Sequence, residues 1–165
     1  WYAVADAVLG SGFTFVQAQP VKSEMAGAMP KSQAKSPIDL DVLLVCRKAA
    51  FDVRAHVDSN QAFGSAKYAA NQKIQRFNSL GRFLSHNDIR IVFLSQLLVE
   101  LSPGRERGEV LTSFSTLLLR SAEAIDTLYE NQTQGTLSLY QSSAQQLALF
   151  KEKETYDTEN DDSNR

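Results

Sequence analysis

Residues 20–48 read PVKSEMAGAMPKSQAKSPIDLDVLLVCRK, a polar, proline-containing stretch that turns abruptly into an apolar run. Asp39 and Asp41 alternate with Ile38, Leu40 and Val42, and the sequence is then continuously apolar from Val42 to Cys46. Alternation passing into a short apolar run predicts a strand with one solvated end and one buried end. Upstream, FTFVQAQPV is rich in β-branched and aromatic residues and predicts a strand from Phe13 to Gln19, with Pro20 limiting how far it pairs. The connection, with Gly27, Pro30 and Pro37, is too short for a helical crossover with its turns. An antiparallel pair carrying a long loop follows.

Ahead of this pair, WYAVADAVLGSGF places Val4, Ala7 and Val8 at helical spacing and Gly10 and Gly12 at a helix stop. The chain opens with neither Met nor the basic start of a signal peptide, which predicts a fragment that begins part-way along a helix. From residue 61 onward the spacing is helical. Tyr68, Ile74, Phe77 and Leu80 fall near one face, and SHND at 85–88 is a capping-box-like start for Ile89, Val92, Phe93, Gln96 and Leu97. SPG at 102–104 ends that helix. Leu111, Phe114, Leu117, Leu118, Ala122, Ile125 and Leu128 form a third run, and Asn131 with Gly135 separates it from a shorter one ending near Phe150. The terminal KEKETYDTENDDSNR has no aliphatic residue and predicts a disordered acidic tail. The expected organisation is therefore 1–50 for the β region, 51–150 for a helical extension and 151–165 for the tail.

At 165 residues, 43% hydrophobic and 22% charged, the chain has the composition of a soluble globular protein. No apolar run approaches the roughly 18 residues of a membrane span, so no membrane partner is expected. Cys46 is the single cysteine and cannot form an internal disulfide, which fits a reducing, cytoplasmic setting; it ends an apolar strand and reads as a small core residue. His56 and His86 lack a carboxylate at metal-ligand spacing, and no glycine-rich phosphate loop, Walker motif or nucleophile elbow occurs.

The net charge of −2 conceals an asymmetry, because residues 22–82 carry ten Lys/Arg against five Asp/Glu. Such an excess favours a polyanion. In the loop, Lys22, Lys31 and Lys35 are interleaved with Ser23, Ser32, Gln33 and Ser36, cations and donors suited to phosphates. A plain solvated loop has the same chemistry. Glu24 fits either a helix cap or a substrate-side contact. On residue chemistry alone, a non-enzymatic helical interaction module and a nucleic-acid-binding domain both remain open.

The order and spacing of several short motifs resemble one family. A Trp-led helix (Trp1), a Gly-Phe strand start (Gly12-Phe13), Pro20-Val21, Glu24, the Lys31-to-Lys35 loop and a strand ending Val45-Cys46-Arg47-Lys48 resemble the C-terminal part of the catalytic domain of adenine-specific DNA methylases that use S-adenosyl-L-methionine (SAM), a large group that includes zinc-ribbon members. The resemblance covers residues 1 to about 48. It implies an α+β fragment: the closing antiparallel hairpin of a Rossmann-like methyltransferase sheet with its preceding helix, then the helical extension. It further implies DNA as partner, an upstream remainder of the same polypeptide that binds SAM, and a setting such as restriction-modification. Lys22, Glu24, Lys31, Ser32, Gln33 and Lys35 become candidates to face DNA, and the helical extension a surface for a protein partner. The glycine-rich SAM loop and the Asp-Pro-Pro-Tyr type motif of this family do not occur here, so no catalytic residue carries over and the chain alone is expected to be inactive.

Overall fold

The computed structural model of the chain describes residues 1–23, 38–49, 58–103 and 106–161, with side chains described to residue 134. Two compact units are present, Trp1–Glu130 and Asn131–Arg165. The first is an α+β domain in which helix α1 (Tyr2–Gly10) leads into an antiparallel pair, β1 (Phe13–Lys22) and β2 (Leu40–Lys48). Helices α2 (Ser59–Ser79), α3 (His86–Leu101) and α4 (Arg107–Asp161) follow.

Local chemistry accounts for these elements. α1 ends where Gly12 adopts φ +78°, a left-handed conformation that glycine enters without a Cβ clash. The α3 start at Ser85 is a complete capping box: Ser85 Oγ accepts from Asp88 N–H, and the Asp88 carboxylate accepts from Ser85 N–H. Asp58 caps α2 by accepting from Asn60 N–H.

The core is centred on α3, whose residues from Asp88 to Leu98, except Arg90 and Ile91, are buried. A helix apolar nearly all round must have neighbours on several sides. Here Phe15 and Leu40 come from the hairpin, Ala62, Ala66, Ala70 and Ile74 from α2, and Val110, Phe114, Ile125 and Leu128 from α4. The α2 contribution repeats every four residues and is mostly alanine, a smooth stripe that fits closely against large α3 side chains. Full burial of a residue such as Phe93 or Leu97 contributes about 1.5–3 kcal/mol.

Four features differ from the sequence expectations. The run Val42–Cys46 is covered on one side only: Val42, Leu44 and Cys46 are half-buried, while Leu43 is 59% and Val45 44% exposed. All described helices that touch the pair leave its other face open, so the β period of two decides burial. Tyr68 of α2 and Leu80 at its C-cap are 68% and 71% exposed, and the alanine stripe takes the place expected for them. Finally, α4 runs without a break through Asn131 and Gly135 to Asp161, where an interruption and a disordered tail were expected. Gln, Ala, Leu, Lys and Glu dominate residues 144–154 and are all good helix formers, so one glycine does not end the helix. β1 also passes through Pro20 to Lys22, beyond the predicted limit at Gln19.

No helix among the described residues is long and apolar enough to cross a membrane.

Glu100, near the end of α3, has its carboxyl raised above the ordinary value by burial. The folded state therefore holds this proton to higher pH than the unfolded chain, and stability falls as pH rises through the interval between the two values. Glu100→Gln is expected to raise the urea midpoint at pH 7 and to leave it unchanged at about pH 3, where the carboxyl is protonated in both states.

Candidate nucleic-acid interface

The base of the long loop is fixed by a buried carboxylate. Asp88, 2% exposed, accepts at Oδ1 from the N–H groups of Asp39 (2.9 Å) and Leu40 (3.1 Å). Its Oδ2 accepts from Ser85 N–H (3.1 Å) and Ser85 Oγ–H (2.8 Å). One side chain thus caps α3 and anchors the first residues of β2. The strand returning from the loop is held to the strand entering it by Ser23 N–H donating to Asp39 C=O at 2.9 Å.

That bond also sets which backbone groups face outward. In an antiparallel pair, hydrogen-bonded and non-bonded pairs alternate. Starting from Ser23 and Asp39, the observed register makes Val21/Asp41, Gln19/Leu43 and Gln17/Val45 bonded pairs, and Pro20/Val42 and Ala18/Leu44 non-bonded ones. Pro20, with no N–H, occupies a position where none is needed. The register shifts between Phe15 and Gln17, a bulge at Val16.

The two edges of the pair are then unlike. On β1, Ala18 C=O accepts from Gln96 Nε2–H (3.0 Å), and Phe15 is bonded at both its N–H (3.0 Å) and C=O (2.9 Å) by the Ser102 hydroxyl, which also accepts from Thr14 Oγ1–H (3.0 Å). With Pro20 alongside, this edge is closed to a further strand. On β2, the backbone groups of Val42, Leu44 and Cys46 point away from β1, and no described strand pairs with them. α3 thus passes beneath the hairpin from the outer side of β2 at Asp88 to the outer side of β1 at Ser102, with Gln96 between.

Of the six residues expected to face DNA, Lys22 is exposed at the end of β1, one residue from the bonded Ser23. Glu24, Lys31, Ser32, Gln33 and Lys35 lie outside the described residues, as does His56. His86 is paired on the surface: its Nε2 lies 2.7 Å from Asp126 Oδ1, and its ring meets Tyr129 edge-on at 5.8 Å. Cys46 is half-buried against the core, and burial raises its thiol above the ordinary value, so it holds little of the reactive thiolate.

The anchors Asp88, Gln96 and Ser102 were not singled out as such in the sequence. Their signal is present: polar residues set into the otherwise apolar helix DIRIVFLSQLLVELS must find buried partners.

Compared with known proteins, the chain matches no family model, no curated protein and no solved structure.

Removing the Asp88 carboxylate leaves four donors without their acceptor, that of Leu40 buried and the others part-buried. Asp88→Ala is expected to lower stability by about 2–4 kcal/mol in urea unfolding. Asp88→Asn keeps one acceptor oxygen but turns an amide NH2 toward donors on the other side, and is expected to recover only part of that loss.

Proposed function

We propose that residues 1 to about 50 are the closing hairpin of a SAM-dependent, adenine-specific DNA methylase, carried on a helical extension. The observation that carries this reading is the asymmetry of the hairpin's edges. β1 is finished as an edge strand by Ser102, Gln96 and Pro20, whereas Val42, Leu44 and Cys46 of β2 offer an edge that is free among the described residues. A two-stranded pair is marginal by itself, and a free apolar edge favours further pairing. The uncovered side chains of Leu43 and Val45 support the same reading, since they suit burial beneath another layer.

The residues of this chain do not fit a SAM site. Gly10 and Gly12 end a helix ahead of β1, instead of forming a turn after a strand with an acid beyond it, so the cofactor is assigned to the upstream part of the polypeptide. Transfer to an adenine amino group needs that donor and a polar clamp on the flipped base, neither of which this chain supplies. Its own contribution is the completed sheet edge and a cationic loop toward DNA, with Lys22, Lys31 and Lys35 meeting phosphates, Ser32 and Gln33 donating alongside them, and Glu24 at the substrate side.

Mass spectrometry of digested DNA after incubation with labelled SAM tests the function. The chain joined to its upstream half is expected to make methyladenine, and the chain alone or the joined protein without residues 13–48 to make none. Absence of any methylated base from the joined protein would overturn the reading. In that protein, Lys31→Ala with Lys35→Ala is expected to reduce the slope of log affinity against log salt by about 2.

A further inference from the structure

A second cationic surface lies apart from the loop. Residues 59–84, which include all of α2, contain Lys67, Lys73, Arg76 and Arg82 and no Asp or Glu. In a chain whose net charge is −2, that run is a concentrated positive segment. Between the C-terminal half of α2 and β1 is a groove of about 980 Å³. Lys73 and Arg76 line it together with Gln19, Gln72 and Gln75, while Pro20 and Phe77 supply apolar wall, and none of the described lining residues is acidic.

Lys73 Nζ reaches only the neutral Gln19 Oε1, at 3.4 Å, and neither Lys73 nor Arg76 forms an ion pair among the described residues. Partial burial, and secondarily the neighbouring Arg76, lower the Lys73 amine from its ordinary value, so an anion placed between them relieves a repulsion built into the fold. Gln72 and Gln75 add amide donors of the kind that fix phosphate oxygens without reading sequence. The groove reaches Pro20, two residues before Lys22 at the start of the loop.

We propose that this groove binds the sugar–phosphate backbone of one DNA strand, with Lys73 and Arg76 on successive phosphates and Gln72 and Gln75 donating beside them. The choice of DNA as the polyanion rests on the methylase reading; the charge and geometry of the groove do not. An acidic peptide is the competing occupant, and the amides of Gln72 and Gln75 beside the two cations favour the nucleic acid strand.

The test is fluorescence anisotropy with the 165-residue chain and a short, labelled, mixed-sequence DNA strand across a range of salt concentrations. Lys73→Ala with Arg76→Ala is expected to weaken binding by about tenfold or more and to reduce the salt slope by about 1.4, equally for unrelated sequences. Arg76→Glu, a change at an exposed position that leaves the core untouched, is expected to weaken it further than Arg76→Ala, with unchanged circular dichroism. No binding by the wild-type chain, unaltered affinity and slope in these variants, or tighter capture of a poly-glutamate peptide or of RNA of the same sequence would overturn the proposal. Loss of binding only in Lys31→Ala with Lys35→Ala would overturn the groove and leave the methylase reading standing. Groove-dependent binding with no methylation by the joined protein would do the reverse.

Discussion

The Asp88 carboxylate joins three things that would otherwise be independent: the first turn of α3, the start of β2 and the base of the loop between the strands. A buried carboxylate is costly unless its lone pairs are filled, and here four donors fill them. From that fixed point α3 runs beneath the hairpin to Ser102, where one hydroxyl bonds both backbone groups of Phe15. The helix therefore supports the sheet by packing along its middle and by polar bonds at both ends, and it decides which strand edge is closed. α2 and α4 add their apolar stripes to α3, so the helical extension and the β region share one core.

Much of this was legible because its causes are local. Gly10 and Gly12 mark the end of α1, Ser85 with Asp88 marks the start of α3, and the alternation of Asp39 and Asp41 with apolar residues marks β2. Burial was less legible, since it depends on what lies opposite. Leu43 and Val45 are as apolar as Leu44, yet the pleat turns them to the uncovered side. Tyr68 of α2 and Leu80 at its C-cap outweigh alanine on any hydrophobicity count, but only the alanine stripe lets two helices approach closely. The groove was legible only as charge: the acid-free run that ends in Arg82 shows in the sequence, whereas the gap that brings Lys73 beside Gln19 requires the strand and helix to be placed.

The edges of the hairpin bear most directly on function. A protein that needed only a small β appendage would close both edges against aggregation, and β1 shows how this chain does so, with a proline and two side chains from α3. β2 has no such device among the described residues. Under the proposed function, its open edge meets the next strand of the methylase sheet.

Amide hydrogen exchange resolved at single residues of β2 tests this account most directly. In the chain alone, the amides of Leu43 and Val45, bonded to β1, should be protected, and those of Val42, Leu44 and Cys46 should exchange much faster; once the chain is joined to the upstream half that the proposed function assigns to it, all five should be protected. Equal protection of the five amides in the chain alone, or continued fast exchange of Val42, Leu44 and Cys46 in the joined protein, would contradict it.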